Sequence, residues 1–337
     1  MPVRNISKEW ILFFWLHQPY LQVIIGFVFC IFIIGSQPSA LATDVAHLLG
    51  CEAVSVRKKT FDDGEKRLQL PISVAGKEVI IFQTITDQPD GIIFETLRMI
   101  DAAKNSDAKT ITVVFPCYPY ARQDRIVQDG CGLPAQLIAK LLKTAGADRL
   151  VTVDMHAPKQ IEQFPLPTFN LSTEALFADY LRQEKIQTDE SLLFAPDRGA
   201  LTRVQTLAKM LSLDFGWADK QRLEDGTIRL SDLHGNVRGK SVYLIDDRID
   251  TGGTLIAVAT RLKRTGAQRM IGIVTHGITS LALLEHLKTA GLDGLVETDT
   301  RNVTRDENFV EVLSVAELLT EKLRNLDKVC CSNKNSI

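Results

Sequence analysis

The fold is decided by the stretch Val242-Tyr-Leu-Ile-Asp-Asp-Arg-Ile-Asp-Thr-Gly-Gly-Thr-Leu255, where an apolar run gives way to acidic residues and then to paired glycines. The apolar residues 242–245 predict a buried parallel strand, and residues 255–263 predict the helix that follows it. The acidic residues between them fall at the carboxyl end of the strand, where open α/β sheets bind their ligands. We therefore expect a ligand site at this turn rather than a solvated acidic tip.

The same turn carries two kinds of recognition group. Adjacent glycines let the backbone approach a ligand closely, and the unpaired N–H groups at a helix start point towards an anion. Carboxylates just before the helix suit sugar hydroxyls or a hydrated Mg²⁺. We predict that a sugar phosphate binds to the following residues of the turn: Asp246, Asp247, Asp250, Thr251, Gly252, Gly253 and Thr254.

The composition is that of a globular enzyme with large cores. The chain has 337 residues, enough for two domains, with a net charge of -2, 45% hydrophobic residues and 24% charged residues. No basic excess points to a nucleic-acid partner. Six cysteines are scattered without a C-x-x-C pair, which indicates neither a disulfide framework nor a zinc site. We expect a reducing compartment, the cytoplasm.

The N-terminus is strongly apolar over residues 10–34 and follows two basic residues, as in a signal peptide or a membrane anchor. However, His17-Gln-Pro19 interrupts the run, and residues 29–34 fit the first strand of the catalytic fold. We therefore expect residues 1–28 to form a packed or poorly ordered extension. Membrane contact through residues 10–34, or a secretory signal, is the less favoured alternative.

Short apolar runs alternate with helical segments from residue 29 onward, which indicates a parallel α/β architecture. The predicted strands are residues 29–34, 79–82, 110–115, 150–153, 192–195, 242–245, 270–274 and 295–298. The predicted helices are residues 41–49, 92–103, 134–145, 173–183, 201–211, 255–263, 280–290 and 315–326. Two similar half-chains result, joined near the proline-containing segment 164–168.

The stretch 242–255 resembles the phosphoribosyl pyrophosphate loop shared by type I phosphoribosyltransferases and ribose-phosphate pyrophosphokinases. A second motif, Phe115-Pro-Cys-Tyr-Pro-Tyr-Ala-Arg-Gln-Asp-Arg125, separates these two groups. Its aromatic rings and arginines suit a nucleotide, although arginine–aspartate loops are often structural ion pairs. The motif closely resembles the ATP site of the pyrophosphokinases, which ordinary transferases lack, and Thr152–Ile161 resembles the same family. The chain is therefore identified as a member of the ribose-phosphate pyrophosphokinase family.

The resemblance extends over residues 29–325 and implies an α/β fold with two similar phosphoribosyltransferase-like domains. Each domain would be a mostly parallel sheet flanked by helices. We predict a first domain over residues 29–168, on the ATP side, and a second over residues 169–314, on the ribose 5-phosphate side. The helix 315–326 would join the first domain, and residues 327–337 would form a tail.

The resemblance also implies an ATP site built from two segments. Phe61-Asp-Asp-Gly-Glu65 resembles the loop that grips adenine, and in the family this loop reaches the nucleotide site of a neighbouring subunit. Taken alone, the segment is a plain acidic turn. The implied ATP-binding residues are Phe61, Asp63, Glu65, Arg122 and Gln123.

Metal-binding and catalytic residues are carried over in the same way. His156 matches a Mg²⁺ ligand of the family, although a lone histidine at a strand end is more often structural. Asp197 lies in a segment that resembles a second part of the Mg²⁺ site. The residues Lys220 and Arg222 match the mobile catalytic loop, where they are expected to stabilise the transferring phosphoryl charge. Without the resemblance, such a pair would be read as solvent-facing.

Two departures from the common bacterial form of the family limit what is carried over. The catalytic loop continues as Gln221-Arg-Leu-Glu-Asp-Gly226 and looks nearer to archaeal-type members. Residues Gln160-Ile-Glu-Gln-Phe-Pro165 replace the usual Gly-Phe-Phe ending. These departures weaken the expectation of phosphate activation, nucleotide feedback and a hexamer, and they leave the chemistry intact.

We expect the enzyme to transfer the β,γ-diphosphoryl group of ATP to the 1-hydroxyl of ribose 5-phosphate with the help of Mg²⁺. The products would be phosphoribosyl pyrophosphate and AMP. The expected partners are ATP, ribose 5-phosphate and further copies of the chain, in a dimer-based assembly for which a hexamer is one form. Two alternatives stay open: a phosphoribosyltransferase that consumes phosphoribosyl pyrophosphate, and a catalytically silent regulatory subunit.

Overall fold

The computed structural model describes residues 30–37, 39–85, 88–222, 228–277, 280–301 and 306–332. The predicted extension 1–28, residue 29 and the last five residues of the predicted tail lie outside these ranges. Among the helices described, none combines the length and the apolar character that crossing a bilayer requires.

The first half of the described chain builds one parallel sheet and a separate hairpin. Its elements are β1 (Cys30–Ile34), α1 (Ala40–Leu49), β2 (Ala53–Ser55), β3 (Arg57–Thr60), β4 (Lys66–Gln69), β5 (Glu78–Phe82), α2 (Pro89–Asn105), β6 (Thr110–Phe115), α3 (Pro134–Ala145), β7 (Arg149–Val153), the 3₁₀ turn Pro158–Gln163 and β8 (Thr168–Leu171). The sheet has the strand order β2-β1-β5-β6-β7-β8, with every neighbouring pair parallel. Strands β3 and β4 form an antiparallel hairpin outside it.

The second half of the described chain repeats this plan with one added feature. Its elements are α4 (Glu174–Gln183), β9 (Ser191–Ala195), α5 (Leu201–Leu211), β10 (Asp214–Arg222), β11 (Ile228–His234), β12 (Ser241–Arg248), α6 (Gly253–Thr265), β13 (Arg269–His276), α7 (Leu281–Ala290), β14 (Gly294–Thr298), β15 (Val310–Leu313) and α8 (Ala316–Ser332). The strand order is β11-β10-β9-β12-β13-β14-β15. Among these described strands only β10 and β11 run antiparallel, as a long arm at the sheet edge.

Apolar side chains cover both faces of each sheet, because successive residues of a strand point to opposite faces and helices pack on either side. In the first sheet, Ile33 belongs to one apolar cluster and Phe32 to the cluster on the other face. In the second sheet, Phe194 and Leu193 divide in the same way. Central strands buried on both faces explain why the sequence shows continuous apolar runs rather than alternation. The predicted α/β architecture with two mostly parallel sheets is confirmed.

The two sheets are related by an internal repeat that sequence identity does not show. The order β2-β1-β5-β6-β7-β8 recurs as β10-β9-β12-β13-β14-β15. Individual hydrogen bonds recur with it: Asp148 Oδ2 accepts from the amide of Ile111 at 2.8 Å, and Asp293 Oδ2 accepts from the amide of Met270 at 2.8 Å. Each bond joins the residue before β7 or β14 to the second residue of the preceding strand. The two halves can therefore be compared position by position.

The last helix leaves the second sheet and returns to the first. The side chains of Val315, Leu319, Leu323 and Leu326 are buried in the cluster that contains α1 and one face of the first sheet. The C-terminal helix thus completes the apolar packing of residues at the other end of the described chain.

We expect Leu319→Ala to lower the free energy of unfolding by about 2–5 kcal/mol, because its fully buried side chain leaves a cavity between α8 and the first sheet. Denaturation by urea, followed by circular dichroism, measures the change. Leu281→Ala is the matched control, since Leu281 is 60% exposed and its loss should cost within about 0.5 kcal/mol. Equal losses in both variants would contradict the burial of α8.

Candidate active site

A cleft of about 880 Å³ lies between the carboxyl ends of the two sheets. Because parallel strands end at the same edge, loops from both halves of the chain meet there. Eleven predicted site residues line the cleft: Arg122, His156, Asp197, Lys220, Asp246, Asp247, Asp250, Thr251, Gly252, Gly253 and Thr254. The structure therefore brings together residues from five separate sequence motifs.

The turn between β12 and α6 forms one wall of the cleft. Gly252 has φ of +72°, a left-handed conformation, and a Cβ at this position would lie 2.4 Å from Leu283 Cδ1. The left-handed φ favours glycine here, and any larger residue would also have to displace the Leu283 side chain. None of the described side chains caps the first turn of α6, so its N–H groups face the cleft from Gly253 and Thr254 onward. This uncapped helix start, with the Thr251 and Thr254 hydroxyls beside it, can bind a phosphate.

Two adjacent carboxylates at the end of β12 differ sharply in proton affinity. Burial, and then the neighbouring charge of Asp247, raise the pKa of Asp246 well above its usual value. For Asp247, burial acts in the opposite direction to the final shift, and the hydrogen bond with His156 holds the pKa of its carboxyl below the usual range. His156 Nδ1 lies 2.8 Å from Asp247 Oδ2 and the same contact raises the pKa of His156. Of these two neighbouring acids, Asp247 is therefore held in its charged form, and Asp246 binds a proton more readily.

A buried joint around Asp154 fixes the two domains relative to each other. The carboxylate follows β7, is 4% exposed, and accepts a hydrogen bond from Arg203 Nη1 at 2.8 Å. The hydroxyls of Thr173 and Thr275 bind the same oxygen. The backbone carbonyl of Asp154 lies 3.3 Å from Nε2 of His276. All four partners belong to the second half of the chain, so this one residue ties β7 to three elements of the other domain.

The joint also aims His156 into the cleft. Asp154 has φ of +42°, a left-handed conformation that a non-glycine residue adopts at a cost of about 1–3 kcal/mol. The chain therefore turns sharply at the end of β7, and His156, two residues later, reaches Asp247 of the other domain. The strain and the buried hydrogen bonds together hold the imidazole at the interdomain edge.

Lys220 reaches the cleft from the long arm of β10 and β11. Its Nζ contacts the carboxylate of Asp197 and lies 3.4 Å from Thr254 Oγ1. The neighbouring residue, Asp219, accepts a hydrogen bond from Arg198 Nε at 2.7 Å and lies 2.9 Å from His234 Nε2. These contacts fix the base of the arm, so the lysine stands over the phosphate-binding turn. The side chain of Arg222, further along the arm, lies outside the described part of the structure.

One ion pair spans the cleft from domain to domain. Arg122 Nη1 lies 2.8 Å from Asp250 Oδ2, with side chains 46% and 53% exposed. An exposed pair of this kind contributes about 0–1 kcal/mol, so a ligand can replace it at little cost. Arg122 was expected on the nucleotide side and Asp250 on the sugar side, and the structure places them face to face.

Among the predicted site residues whose side chains the structure describes, four do not line this cleft: Phe61, Asp63, Glu65 and Gln123. Three of them belong to the turn of the β3–β4 hairpin, where the amide of Phe61 donates to the carbonyl of Glu65 at 2.8 Å. The cationic groups of Lys59 and Arg67 lie 5.5 and 5.3 Å from the Phe61 ring centroid. The ring is thus presented with cations at its face, away from the cleft of its own chain.

Several cleft residues escaped the sequence analysis. Arg198 and Arg203 both line the cleft, and both follow Asp197 within one turn of the start of α5. Their position in sequence, just after the strand end that carries Asp197, could have identified them as cleft residues. Arg125, which also lines the cleft, was counted among the motif's arginines that suit a nucleotide but was not included among the predicted site residues. The contacts that Thr275 and His276 make with Asp154 had no signal, because they join residues more than a hundred positions apart.

The chemistry of the cleft fits a hydrated divalent cation. Within the described ranges, no three His, Cys, Asp or Glu side chains form a ready-made metal centre. The carboxylates of Asp197, Asp246 and Asp247 and the imidazole of His156 nevertheless line one cavity. Mg²⁺ retains several waters and takes one or two carboxylates together with substrate phosphates. This donor set suits Mg²⁺ that arrives with a phosphate ligand.

Comparisons with known proteins place both halves of the chain. Residues 30–146 match the family model described as the N-terminal domain of ribose phosphate pyrophosphokinase, and residues 166–288 match the phosphoribosyl transferase domain. The predicted pair of phosphoribosyltransferase-type domains is therefore confirmed.

Relatives cover nearly the whole described chain. Ribose-phosphate pyrophosphokinase 2 of Enterococcus faecalis is 34% identical over 288 residues, which are 85% of this chain and 89% of that protein. The ribose-phosphate pyrophosphokinase of Aquifex aeolicus is 33% identical over 297 residues, 88% of this chain and 95% of that protein. The crystal structure of phosphoribosylpyrophosphate synthetase from Mycobacterium smegmatis has a TM-score of 0.81 at 31% identity, and the match covers 88% of this chain and 99% of that one.

We expect Asp247→Asn to lower the pKa of His156, because the amide cannot stabilise the imidazolium as the carboxylate does. Since folding raises the pKa of His156, its contribution to stability is full below about pH 6.5 and is lost as the pH rises through the raised value. Proton NMR titration measures the change, with the signal assigned through His156→Gln and the other histidines as internal controls. An unchanged midpoint in Asp247→Asn would show that the pair does not form.

Proposed function

The chain belongs to the family of ribose-phosphate pyrophosphokinases, and from this premise we propose that it transfers the β,γ-diphosphoryl group of ATP to the 1-hydroxyl of ribose 5-phosphate. The products are phosphoribosyl pyrophosphate, which feeds nucleotide biosynthesis, and AMP. The observation that supports this most directly is a single cleft with the phosphate-binding turn of one domain opposite the Arg122 motif of the other. The scattered cysteines fit a reducing compartment, so we assign the reaction to the cytoplasm.

On the second domain, the turn 251–254 is proposed to bind the 5-phosphate at the uncapped start of α6. The ribose hydroxyls are proposed to donate hydrogen bonds to the carboxylates that precede this turn, those of Asp246, Asp247 and Asp250. The ribose is thereby held with its 1-hydroxyl towards the nucleotide. Such alignment supplies much of the rate gain in phosphoryl-group transfer.

On the first domain, Arg122 and Gln123 are proposed to bind ATP, Arg122 through the phosphates. The turn at Phe61, Asp63 and Glu65 is proposed to bind adenine in the cleft of a neighbouring copy, which its position away from its own cleft supports. The Phe61 ring supplies a stacking face and the carboxylates accept from amino groups. The enzyme is therefore proposed to act as a homo-oligomer built on dimers.

His156 and Asp197 are proposed to hold Mg²⁺, with the cleft carboxylates nearby; when bound, the ion neutralises charge on the triphosphate and the diphosphoryl group. Lys220 and Arg222 are proposed as catalytic residues. The ammonium group of Lys220 lies 3.4 Å from the Thr254 hydroxyl. From there it can stabilise the negative charge that builds on the transferring group. In the absence of substrates, the carboxylate of Asp197 pairs with the positive charge of Lys220.

Product analysis tests the proposal against a transferase that consumes phosphoribosyl pyrophosphate. The purified protein is incubated with Mg²⁺, ATP and ribose 5-phosphate and followed by ³¹P NMR. We expect AMP and a pyrophosphorylated ribose phosphate to appear together at equal rates. Release of free pyrophosphate from phosphoribosyl pyrophosphate and a nucleobase, with no reaction of ATP, would favour the transferase instead.

We expect Lys220→Ala to lower kcat on the order of 10²- to 10³-fold with ATP binding nearly unchanged, because the lost charge acts mainly in the transition state. Steady-state kinetics and ATP titration provide the two measurements. Lys240→Ala is the matched control, since Lys240 pairs with Asp214 away from the cleft. Near-normal turnover of Lys220→Ala would remove the catalytic role.

We expect Asp250→Asn to raise KM for ribose 5-phosphate roughly tenfold and to change kcat less, because a charged acceptor for a sugar hydroxyl is lost. Initial rates at saturating ATP measure both constants. Asp214→Asn, an exposed carboxylate on β10, serves as the control. An unchanged KM for ribose 5-phosphate would assign Asp250 to the ion pair with Arg122 alone.

A further inference from the structure

The internal repeat puts Lys58 of the first domain at the position of Lys220 in the second. Ile33 and Phe194 are each the fourth residue of a five-residue strand, β1 and β9. Lys58 lies four residues beyond the β2 residue that pairs with Ile33. Lys220 lies four residues beyond the β10 residue that pairs with Phe194. The two lysines therefore lie at equivalent positions in the chain beyond corresponding strand pairs, Lys58 on the separate hairpin and Lys220 on the arm of the second sheet.

The same comparison puts Glu95 at the position of Thr254. The carbonyls of Ala103 and Leu262 each accept from the amide five residues on, at 3.1 Å, where α2 and α6 end. Glu95 and Thr254 each lie eight residues before that carbonyl. In the first domain, α2 starts at Pro89 and so adds an extra helical turn where the second domain has its open phosphate-binding turn. The first-domain copy of the site is therefore filled by the chain itself.

A third equivalence completes the cluster. Ser36 and Asp197 each lie two residues beyond the end of β1 or β9. Glu95 accepts from the amide and the hydroxyl of Ser36 at 2.7 and 2.8 Å, and from Lys58 Nζ at 2.9 Å. An amide, a hydroxyl and an ammonium around one pair of oxygens are the donors that a phosphate site provides. The Glu95 carboxylate thus takes contacts that a bound anion would make.

The carboxylate is charged and largely shielded from water. Glu95 is 8% exposed, and burial alone acts to raise its pKa. The hydrogen bonds from Lys58 and Ser36 outweigh burial and hold the pKa of Glu95 below its usual value. A charge-assisted pair of this kind is more costly to break than an exposed one, since an unpaired charge would stay buried.

This cluster is also an anchor of the hairpin that carries the Phe61 turn. All residues of β3, where Lys58 lies, are exposed, so apolar packing does little to fix that strand. Lys58 ties β3 to Glu95 of α2, and the guanidinium of Arg98, one helical turn later, donates to the carbonyl of Lys66 on β4. Helix α2 therefore contacts both strands of the hairpin through side-chain hydrogen bonds.

We propose that Glu95 is an internal anion that fills the first-domain copy of the phosphate site and, through Lys58, positions the β3–β4 hairpin for nucleotide binding. Glu95 and Lys58 are positioning residues that contact neither substrate. The proposal rests on the proposed function, in which the Phe61 turn binds adenine. A rigid hairpin presents that turn to the neighbouring copy without an ordering cost at each binding event.

Removal and replacement of the carboxylate test the proposal. Glu95→Ala opens a space the size of the lost group, and sodium acetate can supply a carboxylate there. We expect KM for ATP to rise about fivefold with kcat and KM for ribose 5-phosphate within about twofold, and acetate to restore it. Sodium chloride at equal ionic strength should not restore KM for ATP in Glu95→Ala. As a second control, Glu78→Ala, at the amino end of β5, should leave KM for ATP unchanged.

Two further variants separate the outcomes. Lys58→Met should raise KM for ATP as Glu95→Ala does, and Lys58→Arg should not; because Lys58 is at the surface, this pair also serves if Glu95→Ala fails to fold. An unchanged KM in Lys58→Met, with a raised KM in Phe61→Ala, would overturn the positioning role and leave the proposed function standing. An unchanged KM in Phe61→Ala would instead remove the hairpin from nucleotide binding. If KM for ATP rises in Glu95→Ala and acetate does not lower it again, Glu95 acts only through packing and not as an internal anion.

Discussion

The buried carboxylate of Asp154 holds the two domains in their mutual orientation. One oxygen accepts hydrogen bonds from Arg203, Thr173 and Thr275, all of the other domain. Removing one partner from such a pair leaves an uncompensated buried charge, which costs about 3–5 kcal/mol. The two sheets are therefore held with their carboxyl edges facing, and the cleft has a defined width. The left-handed turn at this residue then brings His156 across the gap.

In the cleft, opposite charges meet in pairs that a ligand can take apart. Arg122 faces Asp250, and Lys220 faces Asp197, each pair partly open to solvent. These contacts satisfy the charged groups in the absence of a ligand, and they cost little to exchange for phosphate oxygens and sugar hydroxyls. A sugar phosphate and a nucleotide carry the complementary set of groups. The charged groups of the cleft are thus already paired in a way that suits exchange with an anionic ligand.

The sequence predicted most central elements and few of the edges. Strand 110–115 and helices 134–145 and 201–211 have the predicted bounds, because long apolar runs and 3.6-residue periodicity mark buried elements. Edge strands β2, β8 and β15 and the hairpins were missed, since β3 reads Arg-Lys-Lys-Thr and is exposed throughout. Strand β12 runs to Arg248, so two predicted turn carboxylates belong to a strand. The motifs named eleven of the 23 residues that line the cleft. The pairing of Asp154 with Thr275 depends on tertiary structure alone.

The position of α8 has a consequence for how the protein is made. The first sheet is translated before the second, whereas the helix that helps to cover one face of the first sheet, through Leu319 and Leu323, is translated after both sheets. Until α8 has been synthesised, that apolar face lacks part of its cover and is open to aggregation or to chaperones. The first domain thus completes its packing only once α8 is made, and loss of this helix would destabilise the domain that is furthest from it in sequence.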